Sequence, residues 1–132
     1  MKKIIKSKKV QPAIGPYSHA IERGPMLFVS GQLPINPETG EMPDGIEAQT
    51  RQSLDNMRSV LNDAGYDMKD VVKTTVLLKD IADFNAMNEV YATYFTDVAP
   101  ARVCYQVAAL PKGALVEIDA IAANWFIHKV VV

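Results

Sequence analysis

The stretch from 71 to 79, VVKTTVLLK, is β-branched and apolar at both parities. A strand of that kind is covered on both faces, because a half-exposed strand alternates apolar with polar positions. IIKS (4–7) and MLFVSG (26–31) are shorter runs of the same type and read as earlier strands. Between 31 and 71 the period changes. Ile46, Leu54, Met57, Leu61 and Ala64 share one helical face, so the spacing predicts a helix opening at Asp44 or Gly45 and running through Ala64. Gly65 supplies the left-handed residue past its end. Phe84, Met87, Tyr91 and Tyr94 predict a second helix, with Asp83 as its N-cap. Two last strands are expected over 101–107 and from 115 to about 127. Pro and Gly clusters at 14–16, 23–25, 36–45 and 110–113 punctuate these runs. The order ββ(β)αβαββ describes one α+β domain over 1–132, a mixed sheet with two helices packed on one face.

Two helices cover only one side of such a sheet. In the last strand Val116, Ile118, Ala120 and Ala122 form the row that belongs under them. The other row is Leu115, Glu117, Asp119, Ile121 and Ala123, neither core-like nor solvent-like. In the preceding strand Arg102, Cys104 and Gln106 alternate with Val103, Tyr105 and Val107. A mixed face of this kind, next to strand 71–79, predicts that a second copy of the chain covers it.

Composition narrows the function. Fourteen Lys and Arg against fifteen Asp and Glu leave a net charge of −1. Phosphate-rich partners require a basic surface, so nucleic acid is not an expected partner. No run approaches the ~20 apolar residues of a membrane span, and MKKIIKSKK lacks the apolar stretch and cleavage site of a signal peptide. The single cysteine, Cys104, excludes an internal disulfide and fits a reducing compartment, so the expected location is cytoplasmic. His19 and His128 have no ligand partners at metal-binding spacing, and no phosphate loop, dinucleotide fingerprint or nucleophile elbow is present. Neither metal nor cofactor is expected.

Arg102 follows Pro100-Ala101 at the start of a strand. A guanidinium there either grips a carboxylate through two parallel hydrogen bonds or rests in solvent or a structural ion pair, and spacing alone favours the second. Glu117 either pairs with a cation such as Arg102 or stays available for proton transfer. Cys104 has the habits of a small buried apolar residue more than those of a reactive thiol. Tyr17 fits a core position or a pocket wall equally, and Asn88, between core positions of the second helix, has a solvent-facing role by default. These residues alone describe an α+β oligomer with a candidate anion-binding cleft.

The ordered strings AIGPYSHAI, FVSGQLPINPETGE, QTRQSLDNMRSVLNDAG, DVVKTTVLLKDIADFNAMNEVYATYF and PARVCYQVAALPKGALVEIDAIA, from about 11 to 123, resemble the reactive-intermediate deaminase family of RidA type, also called the YjgF family. The resemblance implies a chorismate-mutase-like α+β fold and a homotrimer with active sites between subunits. It implies hydrolysis of the enamines and imines that pyridoxal-phosphate-dependent dehydratases release, giving 2-oxo acids and ammonia without cofactor or metal. Position by position, Arg102 matches the carboxylate-binding arginine and Glu117 the glutamate that activates water. Cys104 matches the position whose backbone orients the imine, and Tyr17, Ser30, Gly31 and Asn88 match pocket positions. The alternative is a trimeric protein that binds 2-oxo acids for regulation without turnover. The tail 124–132, NWFIHKVVV, is longer and more apolar than in many relatives, and extends the last strand or packs on a neighbour.

Overall fold

The computed structural model describes residues 1–128. Six strands form one sheet: β1 (Lys3–Ile5), β2 (Ala20–Arg23), β3 (Met26–Gln32), β4 (Val71–Leu78), β5 (Ala101–Gln106) and β6 (Val116–Ala123). Helix α1 (Ile46–Asp63) joins β3 to β4, and α2 (Phe84–Tyr94) joins β4 to β5. The spatial order is β1-β2-β3-β6-β4-β5, antiparallel throughout except for the parallel pair β4–β5.

This topology explains why both helices share a face. β3 and β4 are each antiparallel to β6, hence parallel to one another, and β4 is parallel to β5. The chain therefore makes two successive parallel crossovers, both progressing toward the β5 edge. Right-handed crossovers that step in the same direction put their helices on the same side. The core forms there. Leu27 and Val29 of β3, Val76 and Leu78 of β4, and Val116, Ile118, Ala120 and Ala122 of β6 meet Leu54, Met57, Val60 and Leu61 of α1 and Met87 and Tyr91 of α2. The β6 row assigned from sequence to the helix side is this buried row, and alternate residues from Glu117 to Ala123 are half-buried on the other.

The opposite face is uncovered. Register aligns Ile21, Phe28, Ile121 and Lys73 in one row across β2, β3, β6 and β4, and Phe28, Val103 and Tyr105 are each more than two-fifths exposed there.

Some details differ from expectation. β2 was present in the pattern only as an unplaced third strand; its residues AIER alternate too briefly to stand out. β6 stops at Ala123, because Asn124 uses its own Oδ1 to accept from the Phe126 N–H and starts a 3-10 turn at Trp125. That turn, and not an extended strand, begins the tail, whose residues 129–132 lie outside the described residues. Asp83 occupies the N-cap position of α2 without a side-chain capping bond. A side-chain cap is made one short turn earlier, where Asp80 accepts from the Ala82 N–H at 2.9 Å and caps the 3-10 turn Ile81–Asp83. Helix α1 starts after Gly45 (φ 90°) and ends before Gly65 (φ 87°), both in conformations that favour glycine. No helix among the described residues is long and apolar enough to cross a membrane.

Candidate active site

The residues singled out in the sequence form two groups, on opposite faces of the sheet. The first gathers around Arg102. β5 is the sheet edge, and Arg102 lies opposite Thr74 of β4, which lies opposite the buried Ala120. Its side chain therefore points to the helix side, under α2. Nη1 donates to Asn88 Oδ1 at 2.7 Å. The guanidinium carbon sits 4.8 Å from the centre of the Tyr91 ring and 5.5 Å from that of Phe84, a geometry in which each ring face attracts the cation. Tyr91 is itself fixed by a 2.8 Å hydrogen bond between its hydroxyl and Thr74 Oγ1. Among the described residues no carboxylate lies within ion-pair distance of Arg102.

An arginine has five N–H donors, and among the described residues only Nη1 has a short acceptor. The rest of the fork is held in place, half-buried, by the two rings. Cys104 follows two residues later on the same face, and burial pushes its thiol up, only partly offset by the nearby Arg102 charge. It remains a neutral thiol at physiological pH.

The second group surrounds Glu117, which pairs in register with Leu77 of β4 on the uncovered face. A register shift in β3 between Val29 and Gln32 marks a bulge at Ser30 and Gly31, and brings this backbone against the glutamate. A Cβ on Gly31 would stand 2.6 Å from Glu117 Oε1, so only glycine permits the approach. Ser30 is tied to the 15–19 loop: its hydroxyl donates to Ser18 O at 2.6 Å and its N–H to His19 O at 3.0 Å. That tether sets Tyr17, half exposed, at the wall of an open cleft of about 450 Å³ lined also by Ile14, Leu33, Pro111 and Lys112. A smaller recess shares Gly31 and Glu117 and adds Thr75, Leu77 and Asp119. Asp119 accepts from the Thr75 N–H at 2.9 Å. Burial, and then the Asp119 charge, hold the Glu117 carboxyl above the usual carboxylate range.

Tyr17, Ser30, Gly31 and Glu117 are thus together, Arg102, Cys104 and Asn88 are together, and one chain does not join the two groups. Asn88 does not face solvent; it braces the arginine. Phe84, Asn88 and Tyr91 stand at i, i+4 and i+7 on α2, a spacing that was legible in the sequence, although it suggested core for the aromatics and solvent for the amide. His19 has a structural part: Nδ1 accepts from the Ser7 N–H at 2.9 Å, and Nε2 lies 3.0 Å from Gln11 O. Sequence reasoning passed over Lys112, which an interior loop position did not distinguish.

The model of the endoribonuclease L-PSP family matches residues 8–124. A RutC family protein of Pyrococcus horikoshii is 53% identical, over 92% of this chain and 98% of its own. A 2-iminobutanoate/2-iminopropanoate deaminase of Escherichia coli is 46% identical, over 94% of this chain and 99% of its own. A crystal structure of E. coli TdcF with bound serine superimposes with a TM-score of 0.88 at 42% identity, covering 92% of this chain and 98% of that one.

Proposed function

The chain belongs to the endoribonuclease L-PSP family, the group also known by the names YjgF and RidA, and from that premise we propose that it is a 2-iminobutanoate/2-iminopropanoate deaminase. It hydrolyses reactive enamine and imine intermediates to 2-oxo acids and ammonia. The observation that carries this reading is the Arg102 fork, braced by Asn88 and two aromatic faces, with no carboxylate of the described residues in ion-pair distance. A 2-imino acid supplies the planar carboxylate that such a fork accepts. The serine bound to TdcF carries the same carboxylate.

Because Arg102 and Glu117 point to opposite sides of one sheet, a working site takes Arg102, Asn88 and Cys104 from one copy. Tyr17, Ser30, Gly31 and Glu117 come from another. Three copies closing a ring around their uncovered faces give three such sites. The exposed apolar residues of that face support burial against a second copy.

In this cleft Arg102 holds the carboxylate and thereby fixes C2 of the iminium near a water that Glu117 holds, which makes the attack effectively unimolecular. Water oxygen bonds to C2 while Glu117 takes its proton, giving the carbinolamine. Glu117 returns that proton to the amino nitrogen. The C–N bond then breaks, the carbinol hydroxyl becomes the ketone, and its proton leaves with ammonia as ammonium. A carboxyl raised toward neutrality exchanges protons in both directions more readily than one at the ordinary value. Cys104 contributes through its backbone, since its thiol is held neutral.

The imines are the products of pyridoxal-phosphate-dependent dehydratases acting on serine or threonine, and the protein removes them in the cytoplasm. The test generates 2-aminocrotonate or 2-aminoacrylate in place with such a dehydratase and follows its decay. Faster decay with this protein, lost in Arg102→Ala, supports the reading. A protein that binds 2-oxobutanoate without accelerating decay is the regulatory alternative.

A further inference from the structure

Lys112 stands out on backbone grounds. It is the only non-glycine residue with positive φ among the described residues, at φ 57°, and Gly113 follows at φ 70°. A lysine in the left-handed region costs on the order of 1–2 kcal/mol relative to glycine, and Asn, Asp or Gly are the usual occupants. The loop does not leave it free to relax: the Gly113 N–H donates to Leu110 O and the Ala114 N–H to Pro111 O, both at 3.2 Å, and Leu115 N–H donates to Gln49 Oε1 at 2.8 Å. Turn chemistry therefore does not account for a lysine, and its side chain must.

That side chain lines the cleft containing Tyr17, Ser30, Gly31 and Glu117, and also the adjoining recess of Tyr17, Gly31 and Asn56. It is exposed and has no carboxylate within ion-pair distance among the described residues. The remaining lining of the larger cleft is apolar apart from Tyr17, Ser30 and Glu117. This creates an electrostatic problem. The substrate of the proposed reaction is an anion at its carboxylate, and the cleft it enters carries Glu117 with Asp119 beside it. Both acids repel an approaching carboxylate, and Arg102 lies on the other half of the composite site.

We propose that Lys112 is the entrance cation of the cleft, a positioning residue that offsets the Glu117–Asp119 field and steers anionic 2-imino acids toward the arginine fork. This rests on the deaminase reading. It acts on encounter and not on the bond-making step, so its effect belongs to kcat/KM and to ionic strength. A single charge at a cleft rim changes local anion concentration by about two- to fivefold at low salt. At 0.5 M salt screening removes most of that.

The experiment compares wild type with Lys112→Gly, Lys112→Arg and Lys112→Glu in the coupled assay at 20 mM and 500 mM salt. Lys112→Gly suits the left-handed backbone, so folding is not at stake, and thermal unfolding is recorded for each protein. The expected result is a two- to fivefold lower kcat/KM for Lys112→Gly at low salt, a larger loss for Lys112→Glu, and near-complete rescue by Lys112→Arg. All are expected to have wild-type kcat and to converge at high salt. Equal kcat/KM for wild type and Lys112→Gly at low salt overturns the proposal, as does a loss that salt does not remove or that Arg does not rescue. Those outcomes leave the deaminase reading standing. A wild type that does not accelerate imine decay overturns both.

Discussion

Arg102 and Glu117 are carried by β5 and β6, strands separated in the sheet by β4, and point to opposite sides of it. The register passes from Arg102 through Thr74 to Ala120 in one row, and from Tyr105 through Leu77 to Glu117 in another three residues along β4. Three is odd, and side chains alternate with period two. No rotamer change brings the two groups together within a chain, so the proposed carboxylate grip and proton-transfer group require a site shared between two copies.

The brace on Arg102 gives the first prediction. Asn88 accepts a hydrogen bond from a charged donor, an interaction worth roughly 1.5–3 kcal/mol. Asn88→Ala is expected to raise KM about tenfold or more, through loss of orientation, with a smaller change in kcat. Asn88→Asp is expected to be worse, because its carboxylate occupies the fork. Steady-state kinetics on both variants check this, and an Asn88→Asp enzyme as active as wild type contradicts it.

Gly31 yields a prediction that separates activity from stability. A methyl group there would meet Glu117 Oε1 at 2.6 Å, so the side chain must turn away. Gly31→Ala is expected to unfold within a few degrees of wild type yet lose most of kcat. Its φ is not in the left-handed region, so backbone strain does not confound the result. Unchanged kcat would show that Glu117 needs no fixed position.

The pH dependence follows from Glu117 and Asp119. Burial and the Asp119 charge raise the Glu117 carboxyl, so the acid limb of kcat/KM is expected above the ordinary carboxylate value. Asp119→Asn keeps an oxygen for the Thr75 N–H and removes the charge, and the limb is expected to move to lower pH. For stability the sign is the reverse of a salt-bridged acid. Between the ordinary and raised values the folded state binds more protons, so stability falls as pH rises through that window. Glu117→Gln is expected to remove the slope, as denaturant titrations across pH would record. A limb that stays in place in Asp119→Asn contradicts the assignment.

Cys104 supplies a negative control. Its thiol is pushed up by burial, so a nucleophilic part is not expected of it. Cys104→Ser is expected to retain activity within about threefold, since the backbone is unaltered and a lost buried S–H is a small perturbation. Loss of a hundredfold or more, or a trapped thiol adduct, would assign the sulfur a chemical part.

Much of this arrangement was legible in the sequence for a local reason. The row Val116, Ile118, Ala120, Ala122 is buried because period two and helix cover dictate it, and α1 ends where Gly65 permits a left-handed residue. What was not legible depends on partners distant in sequence. Arg102 lies under α2 through strand order, which no window of residues contains. Asn88 looked solvent-facing because its partner is 14 residues away on an edge strand. Glu117 lies against a β3 bulge that pattern alone does not place. Asp83 is the N-cap residue of the second helix as the sequence suggested, but the side-chain capping bond belongs to Asp80 of the 3-10 turn before it, which a helix pattern does not show.

The composite site is tested most directly by complementation. Arg102→Ala and Glu117→Gln proteins, each inactive alone, are unfolded, mixed in equal amounts and refolded together, and mixed assemblies are verified by native mass spectrometry. In a ring whose sites each take Arg102 from one copy and Glu117 from the next, random mixing restores about one quarter of the sites. The expected result is therefore roughly a quarter of wild-type activity from two dead parents. Verified mixed assemblies without activity would contradict a site shared between copies.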